Sequence, residues 1–159
     1  MVEELDRSKW KDGGEEKMMK ELLNKRCRIQ LENVEMHALE DPAEEPGGLE
    51  IVVSDNVTAK KKPDCLRVEC TRHVGFDPAC NFEITVTYSV EHYLKETDML
   101  KDISDAAIQK EVEENIPFYI QEKRGLMNRV SMIIAQLTSA FDGAPMILPP
   151  YYQTEEPTT

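Results

Sequence analysis

The sequence predicts an α+β domain in which a four-stranded antiparallel meander sheet is followed by helices, with a long C-terminal helix packed on one face of the sheet. The strongest observation lies in residues 81–94, where apolar and polar side chains alternate almost without a break, as in a strand with one buried face. Three earlier segments have the same period of two, and loop sequences connect them in order, which favours a meander. After Lys95 the apolar spacing becomes helical.

Charge and composition exclude several classes of function. The 159-residue chain carries 19 Lys and Arg against 31 Asp and Glu, a formal net charge of -12. Because this sign disfavours contact with a phosphate backbone, we expect no nucleic acid partner. The first 17 residues contain no apolar core of the kind a signal peptide has, and no window approaches the roughly 18 apolar residues of a membrane helix. We therefore expect a cytoplasmic protein without membrane insertion, whose cysteines stay reduced.

The chain divides into three parts. Residues 1–25 are predicted to form an N-terminal helical extension, which Asp12, Gly13 and Gly14 interrupt before a short amphipathic helix at residues 15–25. Residues 26–153 are predicted to form the main domain. The polar residues 154–159 are predicted to form a disordered tail.

The first predicted strand contains an irregularity. Its apolar side changes phase by one residue after Asn33, and such a slip in a period of two predicts a β-bulge. Residues 40–48, with two prolines and a glycine pair, are predicted to form a loop. The apolar side of the strand consists, in order, of Cys27, Ile29, Leu31, Val34, Met36 and Ala38.

Three further strands are predicted to begin near residues 49, 65 and 81. Two polar residues, Arg72 and His92, fall on their apolar side as exceptions to the pattern. His73 lies on the opposite face from His92 by strand parity, which argues against a metal site shared by these two histidines.

The remainder of the chain is predicted to be helical. Residues 103–112 form a short amphipathic segment, and a long helix runs from an N-cap at Asn115 to about Phe141. One apolar stripe of the long helix can cover the sheet. A second stripe is displaced around the helix and predicts contact with another copy of the chain. This predicted oligomer interface consists of Leu126, Ile133 and Ala140.

The order of these elements resembles a known family. The features that carry the resemblance are Arg28-Ile29-Gln30 in the first strand, the paired strands 65–76 and 81–94, Asn115-Ile-Pro-Phe-Tyr119 before the long helix, and Ala144-Pro-Met-Ile-Leu-Pro-Pro-Tyr-Tyr152 after it. Over residues 26–152 the pattern is similar to SecB, the cytosolic protein-export chaperone. The resemblance implies a homotetramer or homodimer, since the family forms dimers of dimers with the sheets outside and the long helices inside.

The same resemblance implies an ATP-independent chaperone, or holdase, that binds non-native polypeptides such as preproteins awaiting export. Client grooves between the sheet and the segments around the helix would be lined by Phe118, Tyr119, Met146, Ile147, Leu148, Tyr151 and Tyr152. Docking to the SecA translocase motor would use acidic residues on the exposed face of the sheet. The candidates by strand parity are Glu32, Glu50, Glu69, Glu83 and Glu91.

No motif in the sequence indicates catalysis. A nucleophile elbow, a glycine-rich phosphate loop and metal-ligand spacing are all absent, so we expect no enzyme activity, no cofactor and no metal. Two alternatives to a general holdase stay open. One is a dedicated chaperone of a single client such as an antitoxin, which differs in the generality of binding. The other is a small-ligand-binding α+β protein, which a saturable small-molecule site would identify.

Overall fold

The computed structural model describes residues 15–40, 50–121, 123, 125–142 and 144–153, and it describes side chains from Met19 onward except at 141 and 142. The predictions for residues 1–14, for the loop at 41–48 and for the tail at 154–159 lie outside these residues. The elements are α1 Glu15–Leu22, β1 Leu23–Ala38, β2 Glu50–Lys61, β3 Cys65–Asp77, β4 Phe82–Leu94, α2 Asp105–Glu114, a π-helical turn Pro117–Gln121 and α3 Leu126–Asp142.

The four strands form one antiparallel sheet, which confirms the α+β class, but the predicted meander is wrong. The strand order is β1-β4-β3-β2, so only β2, β3 and β4 follow one another. The connection from β1 to β2 has to pass three strand spacings, about 14 Å. Residues 39–49 are long enough for this at about 3.3 Å per residue. A connection of this length therefore does not require its two strands to be neighbours.

The predicted β-bulge in β1 is confirmed. Leu31 lies opposite Tyr88, but Asn33 lies opposite Thr87, so Glu32 is the additional residue. The bulge restores the phase of the strand, because an extra residue returns the following apolar side chains to the same face. Apolar residues of β1 consequently face apolar residues of β4 on both sides of Glu32.

The core lies between one face of the sheet and the helices. We call this face the inner face and the opposite one the outer face. The inner-facing residues of β3 and β4 are almost all buried, including Arg72 and His92, in the alternation that the sequence predicted. Helix α1 also contributes to the core through Met19 and Leu22. The carbonyl of Leu22 accepts a hydrogen bond from the main-chain N–H of Lys95, the residue that follows the end of β4.

The predicted continuous helix from Asn115 to Phe141 is wrong, because the helical region is divided. Asn115 ends α2 as its C-cap instead of beginning a helix, and the N-cap of α2 is Ser104. The π-helical turn follows. Gly125 then adopts a left-handed conformation with φ of 66°, which side chains with a Cβ disfavour, and α3 begins at the next residue.

The two edges of the sheet differ. The outer edge of β2 is covered by α2, where the amide of Gln109 accepts a hydrogen bond from the Ala59 N–H at 2.7 Å and donates one to the Val57 carbonyl at 2.8 Å. This side chain occupies backbone groups that a further strand would otherwise use. Among the described residues, β1 pairs with β4 and with no strand on its other side.

Candidate functional site

Part of the inner face is not covered by helices. Leu31 and Val34 of β1 face the core side of β4, yet their exposed fractions are 44% and 38%. Ile51, at the start of β2, is exposed on the same face beside the half-buried Phe76. Met36, two residues after Val34 on β1, is half-buried on the same face. We call Leu31, Val34, Met36, Ile51 and Phe76 the apolar margin, an apolar surface that another polypeptide could cover.

An ion pair is buried at the centre of the inner face. Arg72 on β3 and Asp55 on β2 lie opposite each other, and the guanidinium donates two hydrogen bonds to the carboxylate, from Nε at 2.8 Å and from Nη2 at 2.7 Å. Both side chains are completely buried. Burial of such a pair is unfavourable unless its remaining polar groups are also satisfied. The groups that satisfy it come from α3 and from the end of the chain.

The C-terminal segment, residues 144–153, completes the hydrogen bonds of this pair. Arg72 donates from Nη1 to the Pro149 carbonyl at 3.1 Å and to Ser131 Oγ at 3.4 Å, and from Nη2 to the Tyr151 carbonyl at 2.6 Å. The Gln153 N–H donates to Asp55 Oδ2 at 2.6 Å. Every N–H group of the guanidinium therefore has an acceptor, and two of these acceptors are main-chain carbonyls of the segment.

The side chains of the C-terminal segment point in different directions. Leu148 is buried, and Met146 and Tyr152 are half-buried against the core. The Tyr152 hydroxyl donates to the Asp55 carbonyl at 3.1 Å, and burial raises the pKa of Tyr152 well above its usual value. Ile147 and Tyr151, in contrast, are 76% and 57% exposed.

A second polar cluster lies at the far end of the inner face, around His92. The His92 Nε2–H donates to the Tyr119 carbonyl at 3.0 Å, because a carbonyl can only accept. The Tyr119 hydroxyl donates to the buried carboxylate of Glu111 at 3.0 Å. Burial, reinforced by the charge of Lys123, lowers the pKa of His92 to about 4, so the ring is neutral at pH 7.

Phe118 closes this end of the core. Its ring stacks against His92, and the ammonium groups of Lys20 and Lys123 lie 4.8 and 4.5 Å from the ring centre. Cations at these distances from an aromatic face are attracted by its negative charge density. Phe118 is therefore half-buried, with His92 and two lysine ammonium groups against its ring.

The structure does not bring all the predicted client-binding residues together. Phe118 and Tyr119 lie by His92, while the residues of the C-terminal segment lie by Arg72, whose neighbour on β4 is Val86. The separation along β4 from residue 86 to residue 92 is about 20 Å. Tyr119 and Leu148 are buried, so they are not accessible to a client in this conformation.

The predicted acidic residues all lie on strands of the sheet. Glu50, Glu69, Glu83 and Glu91 occupy register positions on the outer face, and the bulge residue Glu32 contacts side chains of that face. Several of them are engaged. Glu32 accepts hydrogen bonds from Ser89 at 2.6 Å and from Arg67 at 2.9 Å, and these contacts lower the pKa of Glu32. Glu69 also contacts Arg67, and Glu91 accepts from the Cys65 thiol. The other two acidic candidates, Glu50 and Glu83, are exposed.

The predicted oligomer stripe on α3 is not a single exposed stripe. Leu126 is buried in the core of its own chain, Ile133 is half-buried, and Ala140 is exposed. The exposed face of α3 is centred instead on Met132 and Gln136. The reason is the break at Gly125, which sets the orientation of α3 independently of the preceding helical segments.

Sequence reasoning missed two contributions to this site. One is Asp55, which falls on the apolar side of β2 with Val53 and Val57. A carboxylate on that side could have been matched with Arg72, the basic exception on the apolar side of β3. Gln109 gave no such signal, because a glutamine on an amphipathic helix is normally solvated. Its role depends on the docking of α2 beside β2.

No metal site is found in the described part of the chain, and two of its buried thiols are held in the protonated form. No group of three or more His, Cys, Asp or Glu side chains there could hold a metal ion. Burial, with a contribution from Glu91, raises the pKa of Cys65 to about 12, and burial likewise raises that of Cys70 to about 12. Both thiols are therefore protonated and unreactive at neutral pH. No helix in the described ranges has the length and apolar character needed to cross a membrane.

Comparison with solved structures shows what the whole fold is similar to. The SecB-like chaperone Rv1957 of Mycobacterium tuberculosis, in complex with a ChAD peptide from the Rv1956 HigA1 antitoxin, superimposes with a TM-score of 0.52. The match covers 84% of this chain and 92% of that chain at 12% sequence identity. No protein-family model and no curated protein sequence matches. The chain described here therefore has the SecB-like fold that its sequence pattern indicated.

Proposed function

We propose that this protein is an ATP-independent, SecB-like chaperone that holds non-native polypeptides. The observation that carries the proposal is an apolar margin on the inner face of a SecB-like sheet, since a holdase needs exposed apolar surface. The net charge of -12 would keep the protein soluble while that surface is open. The SecB-like chaperone with a similar fold is bound to a peptide, which supports a polypeptide as the ligand.

Clients would bind first at the apolar margin. Leu31 and Val34 are exposed on the inner face of β1, where the side chains of an extended client could make apolar contacts. The predicted contacts Ile147 and Tyr151 are exposed and remain available to a client from the opposite side of the inner face. Phe118 would contribute only after the two lysines beside it move.

A general holdase and a dedicated chaperone of one client are both compatible with this surface. The antitoxin peptide in the similar structure favours the dedicated alternative, whereas a sequence-tolerant apolar surface favours the general one. Binding to several unrelated unfolded proteins distinguishes them. A general holdase would bind all of them with similar affinity, and a dedicated chaperone would bind one.

Self-association would use the edge of β1. The beginning of this strand is basic, with Lys25, Arg26 and Arg28, and its later part is acidic, with Glu32 and Glu35. Antiparallel pairing with β1 of a second copy would therefore place opposite charges face to face. The exposed side of α3, which includes Ala140 of the predicted stripe, would provide a further contact for a tetramer. Static light scattering tests this, and a monomer at micromolar concentration would contradict it.

Export would require contact with the SecA motor through the outer face. Glu32 and Glu69 are engaged by Arg67, so Glu50 and Glu83 are the acidic residues better placed to bind a basic partner. Replacement of both by Gln should weaken SecA binding in a pull-down assay. An unchanged interaction would exclude this pair from the contact.

The central experiment measures aggregation of several heat-unfolded proteins with and without the chaperone, in the absence of nucleotide. Wild-type protein should suppress aggregation. Val34→Ser should weaken this by about three- to tenfold, because a valine that a client buries contributes on the order of 1 kcal/mol. The matched control is Val52→Ser, since Val52 is 45% exposed but lies on the outer face.

The informative quantity is the difference in aggregation suppression between Val34→Ser and Val52→Ser. Equal losses from both variants would show that the inner face is not the client surface. A wild-type protein that suppresses no aggregation would exclude a general holdase. Light scattering on both variants shows whether Val34→Ser acts instead through the oligomeric state.

A further inference from the structure

We propose that the Asp55–Arg72 pair and the adjoining Leu148 position form a binding site for the main chain of an extended polypeptide, and that the protein's own C-terminal segment occupies this site in competition with clients. This inference rests on the proposed chaperone function and specifies one part of its client site. It differs from the sequence-based prediction, in which the same segment lines the client groove.

The ion pair binds the C-terminal segment mainly through main-chain atoms of the segment. The bonded groups are the carbonyls of Pro149 and Tyr151 and the N–H of Gln153. These groups lie two residues apart along a segment without helix or strand. Every residue of an extended chain has a carbonyl, and every residue except proline has an N–H. The same three bonds could therefore be made by a foreign chain of almost any sequence.

The Asp55–Arg72 pair needs a hydrogen-bonding partner from outside the sheet. Without the C-terminal segment, two donors of Arg72 and one acceptor site of Asp55 would lose their partners at the centre of an apolar face. Buried charged groups without hydrogen-bond partners are strongly unfavourable. The unoccupied site would consequently favour any extended chain that can enter it.

The C-terminal segment also has a side-chain pattern that an unfolded client can supply. Leu148 is buried and Tyr152 is half-buried, whereas Ile147 and Tyr151 are exposed. An apolar residue followed four positions later by an aromatic one is common in unfolded chains. The site is also continuous with the inner face that carries the apolar margin, so a client bound at the margin could extend into it.

Single hydrogen bonds hold the beginning and the end of the C-terminal segment, so the bond at its end can be removed without a change to a core side chain. At its beginning, the Met146 N–H donates to Thr138 Oγ1 at 2.7 Å. At its end, the Gln153 N–H donates to Asp55. Gln153→Pro removes this last N–H, while Gln153→Ala retains it and changes only the side chain. The two variants are therefore a matched pair.

The experiment measures binding of a fluorescein-labelled synthetic peptide, rich in leucine, tyrosine and lysine and unfolded in buffer, to the full-length protein. A hydrogen bond to a charged group changes an equilibrium by roughly tenfold or more, and apparent affinity follows the open fraction of the site. Gln153→Pro should therefore bind the probe about tenfold more tightly than wild type. Gln153→Ala should bind like wild type, and circular dichroism establishes that both variants are folded.

A second measurement uses an unlabelled peptide with the sequence of residues 145–153. This peptide should displace the probe from Gln153→Pro, and the same peptide with Leu148→Asp should not. Equal or weaker probe binding by folded Gln153→Pro would overturn the competition and assign the segment to the lining of the groove. Failure of the unlabelled peptide to displace the probe would also overturn it. If no variant binds the probe, the proposed chaperone function fails, and the competition with it.

Discussion

The two buried polar clusters of the inner face obtain their hydrogen-bond partners from different parts of the structure: helical elements around His92, and the irregular C-terminal segment around Arg72. Around His92, the ring donates to the main-chain carbonyl of Tyr119, and the remaining contacts join side chains of α2 and the π-helical turn, as in the contact of Tyr119 with Glu111. Around Arg72, the partners are main-chain groups of a segment without regular structure. A side-chain cluster requires particular residues in particular positions. A cluster that binds main-chain groups can bind another extended chain in place of the first. The Arg72 cluster is therefore the one at which a client could replace the C-terminal segment.

The largest expected effect comes from Arg72→Met. Removal of the guanidinium leaves the carboxylate of Asp55 buried without its main partner, so the free energy of unfolding should fall by about 3–5 kcal/mol. Denaturation with urea measures this. The control is Arg67→Met on the outer face, where the partly exposed ion pairs should contribute about 1 kcal/mol or less. If both variants lost a similar free energy of unfolding, the buried Asp55–Arg72 pair would contribute no more to stability than a surface ion pair.

The next effect concerns pH and belongs to the His92 cluster. In the unfolded chain His92 binds a proton near pH 6.5, but in the folded protein its pKa is about 4. The unfolded state therefore takes up a proton first, and stability should fall as pH falls from about 6.5 to about 4, by up to about 3 kcal/mol. Above pH 6.5 this contribution is constant, since the ring is neutral in both states.

The test of this effect replaces His92 and uses the wild-type protein, measured in parallel, as the reference. His92→Gln removes the titrating ring and should flatten the dependence of urea midpoints on pH between 6.5 and 4. An unchanged slope in His92→Gln would assign the pH dependence to other groups.

A smaller loss is expected from Tyr119→Phe. The hydroxyl donates to the buried Glu111 carboxylate, and a hydrogen bond to a charged group is worth about 1.5–3 kcal/mol. Thermal or chemical unfolding measures the loss. Client binding should not change, since Tyr119 is inaccessible. A folded variant that binds clients less well would show that this end of the inner face opens.

The smallest effect is expected from Tyr152→Phe. Its hydroxyl donates to the neutral carbonyl of Asp55, so the loss of stability should be about 0.5–1.5 kcal/mol. Unlike Tyr119→Phe, this variant should increase client affinity, because it weakens the attachment of the C-terminal segment. Stability and probe binding measured together on the two tyrosine variants therefore separate the two clusters.

Much of the sheet could be predicted because strand patterns are local. The alternation in residues 81–94 and the phase slip in β1 follow from the two-residue period of an extended backbone, and both appear in the structure. The strand order could not be predicted in this way, since pairing depends on contacts between residues distant in sequence. The break at Gly125 was also missed, because apolar spacing continues across it while the backbone does not.

The candidate site was predicted only in part. The sequence grouped Met146, Leu148 and Tyr152 with Phe118 and Tyr119 as residues that line client grooves. In the structure the first three pack in or against the core near Arg72, and the other two lie about 20 Å away along β4. Arg72 was recognised as an exception without a partner. Its pairing with Asp55 became apparent only when β2 and β3 were placed in register.

The sequence by itself determined which residues face inward on each strand, where β1 is bulged and the overall α+β character, because each of these depends on neighbouring residues. Tertiary structure alone decided that β1 lies beside β4, that α3 turns Leu126 into the core and that the C-terminal segment satisfies Arg72. The physical reason is that a buried charge must find partners wherever the folded chain provides them. In this protein it finds them in main-chain groups, which no side-chain pattern in the sequence records.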